Sequence, residues 1–247
     1  MLISERQNQI IRLLEQNPRI TVRELAQALS FSEPTIRRDF TELHKKGVIT
    51  KCYGGAILNQ GKADREIPFV LRENEKSRPK AEMGLQASRL ISDGMVIMLD
   101  GSTSAYHLVP YLAKFKDIIV ITSGAKTAVA LAELQIPVYC TGGRMRTNSF
   151  SYVGREAEEM VERFNADIAF FSAQSLSLNG EIYDCFEDEI FLRRAMIQNA
   201  KNKVFLCDNT KIGKTSPFRL CSLKDVDYIV SNTALPDIPF SASVKQL

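Results

Sequence analysis

Four short segments of this 247-residue chain combine glycine, serine or threonine with charged side chains, and each follows a run of apolar residues. They are Asp100-Gly101-Ser102-Thr103-Ser104, Thr122-Ser123-Gly124-Ala125-Lys126, Thr141-Gly142-Gly143-Arg144 and Asp208-Asn209-Thr210-Lys211. Backbone N–H groups and hydroxyls at the start of a helix can bind phosphate, and Lys211 and Arg144 could add positive charge. One such segment is weak evidence, because the same residue types also form ordinary turns. Several of them at one place would favour a phosphorylated small ligand.

A second set of side chains, near the N-terminus, has the types and spacing of a DNA-contacting surface. On a helix that opens at Ser32, an apolar stripe would face inward and a basic face outward. Residues near the start of such a helix approach base edges, and the candidates for base contacts are Ser32, Glu33, Thr35 and Arg38. Phosphate contacts are expected from Arg37, Lys45, Lys46 and Lys51, and a further DNA contact from Thr21.

Three short helices and a hairpin would position this surface. Capping boxes open the first two helices at Ser4-Glu5-Arg6-Gln7 and Thr21-Val22-Arg23-Glu24, and Asn17-Pro18 ends the first helix. The third helix begins at Ser32, should end at Gly47, and has an inner face of Ile36, Phe40 and Leu43. Residues 48–56 are rich in β-formers and predict a wing. The whole predicts a winged helix-turn-helix, although a packing module with a solvated arginine pair is the alternative.

Composition and charge narrow the classes of protein. Hydrophobic residues make up 45% and charged residues 25% of the chain, which excludes wholesale disorder. A membrane-spanning or secreted protein is not expected, because the chain shows no apolar run of about 18 residues and no signal-peptide pattern. Residues 1–56 hold nine Lys/Arg and six Asp/Glu, whereas the rest of the chain holds 23 of each. The net charge of +3 therefore lies in the first quarter, which points to an anionic partner there.

No metal site or catalytic constellation is expected from the sequence, and no cofactor. The five cysteines are widely spaced and never form C-x-x-C, which indicates a reduced, cytoplasmic protein rather than a zinc site. His44 and His107 are too far apart in sequence to form a metal pair on their own. Gly213-Lys214-Thr215 lacks the earlier glycine of a Walker A loop, and no G-x-G-x-x-G occurs. The acidic run at 187–189 is interpreted as a solvated helix start.

From Lys80 onward, apolar runs alternate with helical patterns. Strands are predicted at 95–99, 118–121, 138–140, 168–171, 204–206 and 228–230, and helices near 83–91, 105–112, 125–134, 156–164 and 187–199. This alternation predicts an α/β domain with a doubly wound, mostly parallel sheet, in which ligands bind beyond the carboxyl ends of the strands. We therefore expect a winged helix-turn-helix domain at 1–57, a linker at 58–79 and a ligand-binding domain at 80–247.

Both parts of the chain resemble the DeoR family of bacterial transcription regulators. Thr35-Ile36-Arg37-Arg38-Asp39 and Tyr53-Gly54-Gly55-Ala56 are similar to the family's DNA-binding signature, and the four segments above are similar to loops of its effector domain. The resemblance implies a fold like that of ribose-5-phosphate isomerase and a phosphorylated sugar as the effector. The residues expected to line the site are Asp100, Gly101, Ser102, Thr103, Ser104, Thr122, Ser123, Gly143, Arg144 and Lys211.

This chain departs from the family's pattern near the expected ligand. The G-x-x-G of the family's usual F-I-G-x-x-G-I is here Ser172-Ala173-Gln174-Ser175, so Ser172 and Ser175 replace glycines. Ser123 stands where asparagine is usual. Side chains are thus present where close approach of a ligand to the backbone is expected.

The favoured interpretation is a homo-oligomeric transcription regulator, a dimer or tetramer. It would bind a double-stranded DNA operator, more often as a repressor, and control a carbohydrate-metabolism operon in response to a phosphorylated sugar. The alternative is an active sugar-phosphate isomerase or deaminase. The N-terminal module and the lack of an identifiable general base count against that alternative. A regulator that has lost its effector is a third interpretation.

Overall fold

A computed structural model describes residues 3–17, 20–46, 48–52, 55–58, 69–239 and 244–247. The chain divides into two compact units, Met1–Lys76 and Ser77–Leu247. Residues 59–68 of the predicted linker lie outside the described residues. The division into a domain at 1–57, a linker at 58–79 and a domain at 80–247 therefore stays a prediction.

Three helices and a hairpin form most of the first unit. The three helices are α1 (Ile3–Gln16), α2 (Val22–Leu29) and α3 (Glu33–Lys45), and the hairpin strands are β1 (Ile49–Cys52) and β2 (Gly55–Leu58). A fourth, shorter helix, α4 (Phe69–Asn74), follows later in the chain. The two strands are antiparallel, with Ile49 opposite Leu58. The predicted helix stop at Gly47 and the hairpin residues Tyr53 and Gly54 lie outside the described residues. The predicted helix-turn-helix with its wing is confirmed.

The apolar stripes of these helices meet in one core. Its fully buried members include Ile10 and Leu14 of α1, Leu25 of α2, and Ile36 and Leu43 of α3. A three-residue turn, Ser30-Phe31-Ser32, joins α2 to α3, and Ser30 adopts the left-handed conformation that commonly ends a helix. The spacing of apolar residues thus determined which face of each helix is buried.

The second unit is an α/β domain. Its helices are α5 (Ser77–Ala87), α6 (Thr103–Tyr106), α7 (Ala125–Glu133), α8 (Arg155–Glu162) and α9 (Glu187–Gln198). The strands of its main sheet are β3 (Val96–Leu99), β4 (Ile119–Thr122), β5 (Val138–Cys140), β8 (Ala166–Phe171), β11 (Ala200–Leu206), β13 (Tyr228–Val230) and β14 (Lys245–Gln246). The remaining strands are β6 (Arg144–Arg146), β7 (Ser151–Val153), β9 (Ser175–Leu176), β10 (Glu181–Asp184) and β12 (Phe218–Ser222).

The main sheet has the order β14-β13-β11-β8-β3-β4-β5, and every pairing between its described strands is parallel. The chain runs outward from β3 to β5 and then returns to place β8 on the other side of β3. This reversal of strand order marks the place where open α/β sheets bind ligands. The predicted fold class is therefore confirmed, and β3 and β8 flank the expected site.

Smaller β elements surround the carboxyl ends of these strands. The strands β6 and β7 form an antiparallel hairpin, and β12, β10 and β9 form a three-stranded antiparallel sheet. None of these five strands was predicted, because they have two to five residues and little apolar periodicity.

One predicted helix, at 105–112, is divided in two. It consists of α6 and a 3₁₀ helix at Val109–Lys114 that has Pro110 in its first turn. Proline has no N–H for the helical ladder and its ring blocks the preceding turn, so the α-helix ends before it. No helix among the described residues is both long and apolar enough to cross a membrane.

Candidate functional site

The outer face of α3 carries the candidate base contacts of the first unit. Arg38 is exposed, and its guanidinium has no partner within the part of the chain that the structure describes. Arg37 is also exposed and forms an ion pair of 3.3 Å with Glu33 one turn earlier. Ser32 is the N-cap residue of α3, but its hydroxyl does not accept a hydrogen bond from a backbone N–H of the helix. The hydroxyl instead lies 2.9 Å from the hydroxyl of Thr35. Arg38 is therefore the arginine of this face whose donors are all available.

The lysines that were predicted for phosphate contacts lie around the same helix. Lys45 is exposed beside Glu42, at 3.5 Å. Lys46 donates to Gln7 of α1, at 3.1 Å, and Lys51 of the wing donates to Thr41 of α3, at 2.7 Å. Lys46 thus links the end of α3 to α1, and Lys51 links the wing to α3. Both ammonium groups lie beside α3.

Thr21 is the N-cap of α2. Its hydroxyl accepts from the backbone N–H of Glu24 at 3.2 Å, and the Glu24 carboxylate accepts from the Thr21 N–H at 2.7 Å. The hydrogen bonds from the Thr21 backbone and then from its hydroxyl lower the pKa of Glu24. The predicted capping box is present, so Thr21 has a structural role whether or not it meets DNA.

A buried ion pair fixes α3 against α1. Arg6 donates twice to the carboxylate of Asp39, at 2.5 and 3.0 Å, and both side chains are buried. The Arg6 guanidinium also lies over the ring of Phe31 in the turn before α3, 4.8 Å from its centre. Asp39 thus orients an arginine and does not face solvent.

In the second unit, the predicted loops converge at the carboxyl ends of β3, β4 and β8. A Cβ atom at Gly101 would lie 2.5 Å from Cβ of Ser151 on β7, so only glycine fits there. The Ser123 carbonyl accepts from the backbone N–H of Tyr152, also on β7, at 2.7 Å. The segments 100–104 and 122–124 therefore lie side by side, with the β6–β7 hairpin against them.

Asp100 holds this loop in place. Its Oδ1 accepts from the backbone N–H of Ser102 at 3.1 Å, and its Oδ2 accepts from the N–H of Ser172 at 3.1 Å and from Arg193 at 2.8 Å. The side chain is only 1% exposed. Because both oxygens already accept hydrogen bonds from the protein, Asp100 positions the site rather than offering a free acceptor to a ligand.

The hydroxyls of the predicted site fall into two groups, those that are hydrogen-bonded to the protein backbone and those that are not. Ser102 accepts from the N–H of Ala105 and caps α6, and Thr122 accepts from the N–H of Gly124. The hydroxyls of Thr103, Ser104 and Ser123 have no hydrogen-bond partner within the described residues, although each side chain is at most 4% exposed. Because the described residues do not engage them, these three hydroxyls are available to a ligand.

Gly143 and Arg144 lie at the start of the β6–β7 hairpin. Gly143 has φ of +92°, and a Cβ there would lie 2.7 Å from the Val153 carbonyl oxygen. Arg144 is exposed and forms an ion pair with Asp188 at the start of α9. Glycine is therefore needed at position 143 for backbone conformation and packing. The guanidinium of Arg144 points toward α9.

Behind these loops lies a buried cluster of charges centred on Arg193. Its guanidinium donates to Asp100 at 2.8 Å, Asp184 at 3.0 Å and Glu189 at 2.9 Å, and all four side chains are at most 8% exposed. Burial lowers the pKa of Arg193, but the charges of Asp184, Glu189 and Asp100 outweigh it and raise the pKa. Burial is also the main cause of the raised pKa of Asp184.

The cluster corrects one interpretation of the sequence. Glu189 is not part of a solvated helix start, because it is 6% exposed and accepts from Arg193 and from Ser151 at 2.8 Å. Arg193 and Ser151 were not predicted as site residues. The spacing of Glu189 and Arg193 by four residues on one helix was the available signal, but it is equally typical of a surface ion pair.

Lys211 reaches the site from the 3₁₀ helix Asn209–Lys211. Its ammonium donates to the hydroxyl of Ser172 at 2.5 Å. Burial lowers the pKa of Lys211, while the nearby charges of Asp208, Cys207, Asp184 and Asp100 act in the opposite direction. A metal site is not indicated, since no group of three His, Cys, Asp or Glu residues that could hold an ion occurs among the described residues.

Comparison with known proteins agrees with this arrangement of a winged helix-turn-helix followed by an α/β domain. A family model for the DeoR-like helix-turn-helix domain matches residues 6–62, and one for the DeoR C terminal sensor domain matches residues 75–233. The chain therefore belongs to the DeoR family of transcriptional regulators.

Individual relatives cover nearly the whole chain. It is 34% identical over 232 residues to the HTH-type transcriptional regulator GolR of Listeria innocua, which spans 94% of this chain and 91% of that protein. It is 28% identical over 235 residues to a putative aga operon transcriptional repressor of Escherichia coli O157:H7, spanning 94% and 87%. Among solved structures, a D-ribose-5-phosphate isomerase in complex with phospho-erythronic acid matches with 15% identity and a TM-score of 0.43, over 55% of this chain and 54% of that one.

Proposed function

We propose that the protein is a cytoplasmic repressor of a carbohydrate-use operon, and that a phosphorylated sugar bound to its α/β unit changes its affinity for operator DNA. The observation that carries the ligand half is the set of hydroxyls of Thr103, Ser104 and Ser123, which have no partner among the described residues and belong to residues at most 4% exposed, beside the reversal of strand order. With Lys211 they offer hydrogen-bond donors, which suit the oxygens of a phosphate.

The DNA half rests on α3. Arg38 projects from the outer face with all its donors available, and arginine reads guanine through two hydrogen bonds in the major groove. Arg37, Lys45, Lys46 and Lys51 surround it and would contact phosphates, which give affinity without sequence preference. Ser32, Glu33, Thr35 and Thr21 stay proposed contacts from the start of α3 and of α2.

Repression by such a protein requires more than one copy. A dimer or tetramer would place two α3 helices in half-sites about 34 Å apart on one face of the duplex. A ligand would release DNA if it favoured an assembly with a different spacing, and coupling of this kind amounts to about 1–3 kcal/mol. Two relatives named as repressors, of an aga operon and of a lactose phosphotransferase system, support this direction of regulation.

The test is a mobility-shift titration on the promoter next to the gene, with and without a panel of pentose, hexose and hexosamine phosphates. We expect binding without ligand, and release by at least one sugar phosphate but not by its unphosphorylated form. In Lys211→Met that release should be lost or require at least tenfold more ligand, whereas Lys214→Met, in the exposed loop that follows, should respond like the wild type. Failure to bind any promoter fragment at low salt would contradict the DNA half.

The same panel tests the enzymatic alternative. Incubation of the purified protein with each sugar phosphate, followed by chromatography of the products, should show no isomer and no released ammonia. Measurable turnover would instead favour an isomerase or deaminase and would contradict the proposal that the site only senses its ligand.

A further inference from the structure

Ser172 joins three neighbouring parts of the ligand site. It follows β8 directly, and its backbone N–H donates to Asp100 at 3.1 Å. Its hydroxyl donates to the carbonyl of Leu206, at the end of β11, at 2.6 Å and accepts from the ammonium of Lys211 at 2.5 Å. The residue is 1% exposed. A single buried serine therefore connects the loop after β3, the end of β11 and the one lysine of the predicted ligand site.

Lys211 depends on this contact. Among the described residues, the ammonium of Lys211 has one hydrogen-bond partner, the hydroxyl of Ser172. Two of the three ammonium protons are therefore left for a ligand. The groups that face the ammonium electrostatically are Asp208, Cys207, Asp184 and Asp100. Burial disfavours the charged form of a lysine, and a hydrogen bond to that form favours it. The hydroxyl of Ser172 thus fixes where the ammonium lies and helps to keep it charged.

We infer that Ser172 is a positioning residue that sets the ligand preference of this site by holding the Lys211 ammonium at one place on the sheet edge. The inference rests on the proposed function. The hydroxymethyl group of Ser172 also takes up room that a glycine would leave to the ligand. The site should therefore bind a phosphate or another anionic oxygen at Lys211 and discriminate against sugars that need extra space beside β8.

The first experiment measures dissociation constants by calorimetry for the wild type, Ser172→Ala, Ser172→Gly and Ser172→Thr with ribose 5-phosphate, fructose 6-phosphate, glucosamine 6-phosphate and inorganic phosphate. The ligand preferred by the wild type should bind at least tenfold more weakly to Ser172→Ala, as expected for loss of a hydrogen bond to a charged group. Ser172→Thr, which keeps the hydroxyl, should stay within about threefold of the wild type. Ser172→Gly should change the order of preference toward bulkier ligands.

Ser88→Ala is the matched control. Ser88 is also buried, and its hydroxyl likewise donates to a backbone carbonyl and accepts from an ammonium, that of Lys114 at 3.3 Å, but it precedes β3 and is no part of the proposed ligand site. We expect its dissociation constants to stay within about threefold of the wild type. Equal losses in Ser88→Ala and Ser172→Ala, or no loss in Ser172→Ala, would overturn the inference.

A second experiment needs no ligand and separates this inference from the proposed function. The rate of acetylation of Lys211 by acetic anhydride, followed by mass spectrometry as a function of pH, reports the titration of its amine. Without the hydroxyl the charged form loses its acceptor, so the midpoint should move to lower pH in Ser172→Ala and stay unchanged in Ser88→Ala. An unchanged midpoint in Ser172→Ala would refute the positioning role. If the wild type bound no sugar phosphate while the midpoint moved, only the proposed effector would be wrong.

Discussion

The arginines at the two proposed binding sites of this protein lie in opposite environments. On α3 of the first unit, Arg37 and Arg38 are exposed, and Arg38 has no partner in the described part of the chain. In the second unit, Arg193 is buried and bonded to three carboxylates. The same side chain thus serves as an available donor at the proposed DNA-contacting face and as an internal support at the proposed ligand site.

The difference follows from the size and charge of what each unit is proposed to bind. Duplex DNA is a long polyanion, and exposed cations gain from releasing its counterions without being held rigidly. A small ligand is bound by a few groups, and these must be held in place before it arrives. Arg193 supplies that order indirectly, because it holds Asp100 and so the loop that carries Thr103 and Ser104.

The largest effect should come from the buried arginine. Arg193→Met would leave Asp100, Asp184 and Glu189 buried without their counter-charge, which typically costs about 3–5 kcal/mol. Urea unfolding should show this loss in the second unit. The control is Arg155→Met, which removes an exposed pair with Glu159 on α8 and should leave the unfolding midpoint almost unchanged. Similar midpoints for both variants would remove the contrast between buried and exposed arginines.

Arg38→Ala should have the next largest effect, and on DNA rather than on stability. We expect operator affinity to fall by about 1–3 kcal/mol and sequence preference at one base pair to relax. A binding-site selection with wild type and variant measures both quantities. If the selected sequences were identical, Arg38 would not read a base. Arg155→Ala again serves as the exposed-arginine control.

Removal of the α2 cap should have a smaller effect. Thr21→Ala should destabilise the first unit by about 1 kcal/mol at neutral pH, because the N–H of Glu24 loses its acceptor. The lowered pKa of Glu24 means that its contribution is present above the ordinary value of 4.5 and is lost as the pH falls through the lower folded value. Thermal unfolding of the wild type should therefore show a loss of stability in this acidic range. In Thr21→Ala this pH-dependent loss should be smaller.

The smallest effect should come from Arg37. Arg37→Ala would remove one phosphate contact, so the slope of log affinity against log salt should decrease by about one and the sequence preference should stay the same. Binding titrations at several salt concentrations measure this slope. A change in selected sequence with an unchanged slope would reverse the roles assigned to Arg37 and Arg38.

Sequence patterns predicted the first unit more fully than the second. The capping box at Thr21, the apolar stripe of α3 and the wing are local features, and each is present in the structure. The strands of the main sheet were also predicted, except for the two-residue β14, because buried parallel strands are continuous apolar runs. The small strands β9, β10 and β12 were missed, since they are too short to show a period.

The candidate ligand site shows where the sequence stops being informative. Composition of the loops after β3 and β4 indicated hydroxyls at one sheet edge, and the structure places Thr103, Ser104 and Ser123 there. Which of these hydroxyls are free and which cap a helix depends on backbone groups that only the folded chain brings near. The sequence likewise did not reveal that Asp100 already accepts three hydrogen bonds from the protein.

The sequence by itself determined the helices of the first unit, the face that each one buries and the alternation of strands and helices in the second. These properties depend on residues a few positions apart, whose propensity and spacing act before the chain is compact. Only the tertiary structure decided that Arg193 meets Asp100, 93 positions away, and that Ser172 meets Lys211, 39 positions away. The order of strands in the sheet brings these residues together, because β8 returns to lie between β3 and β11.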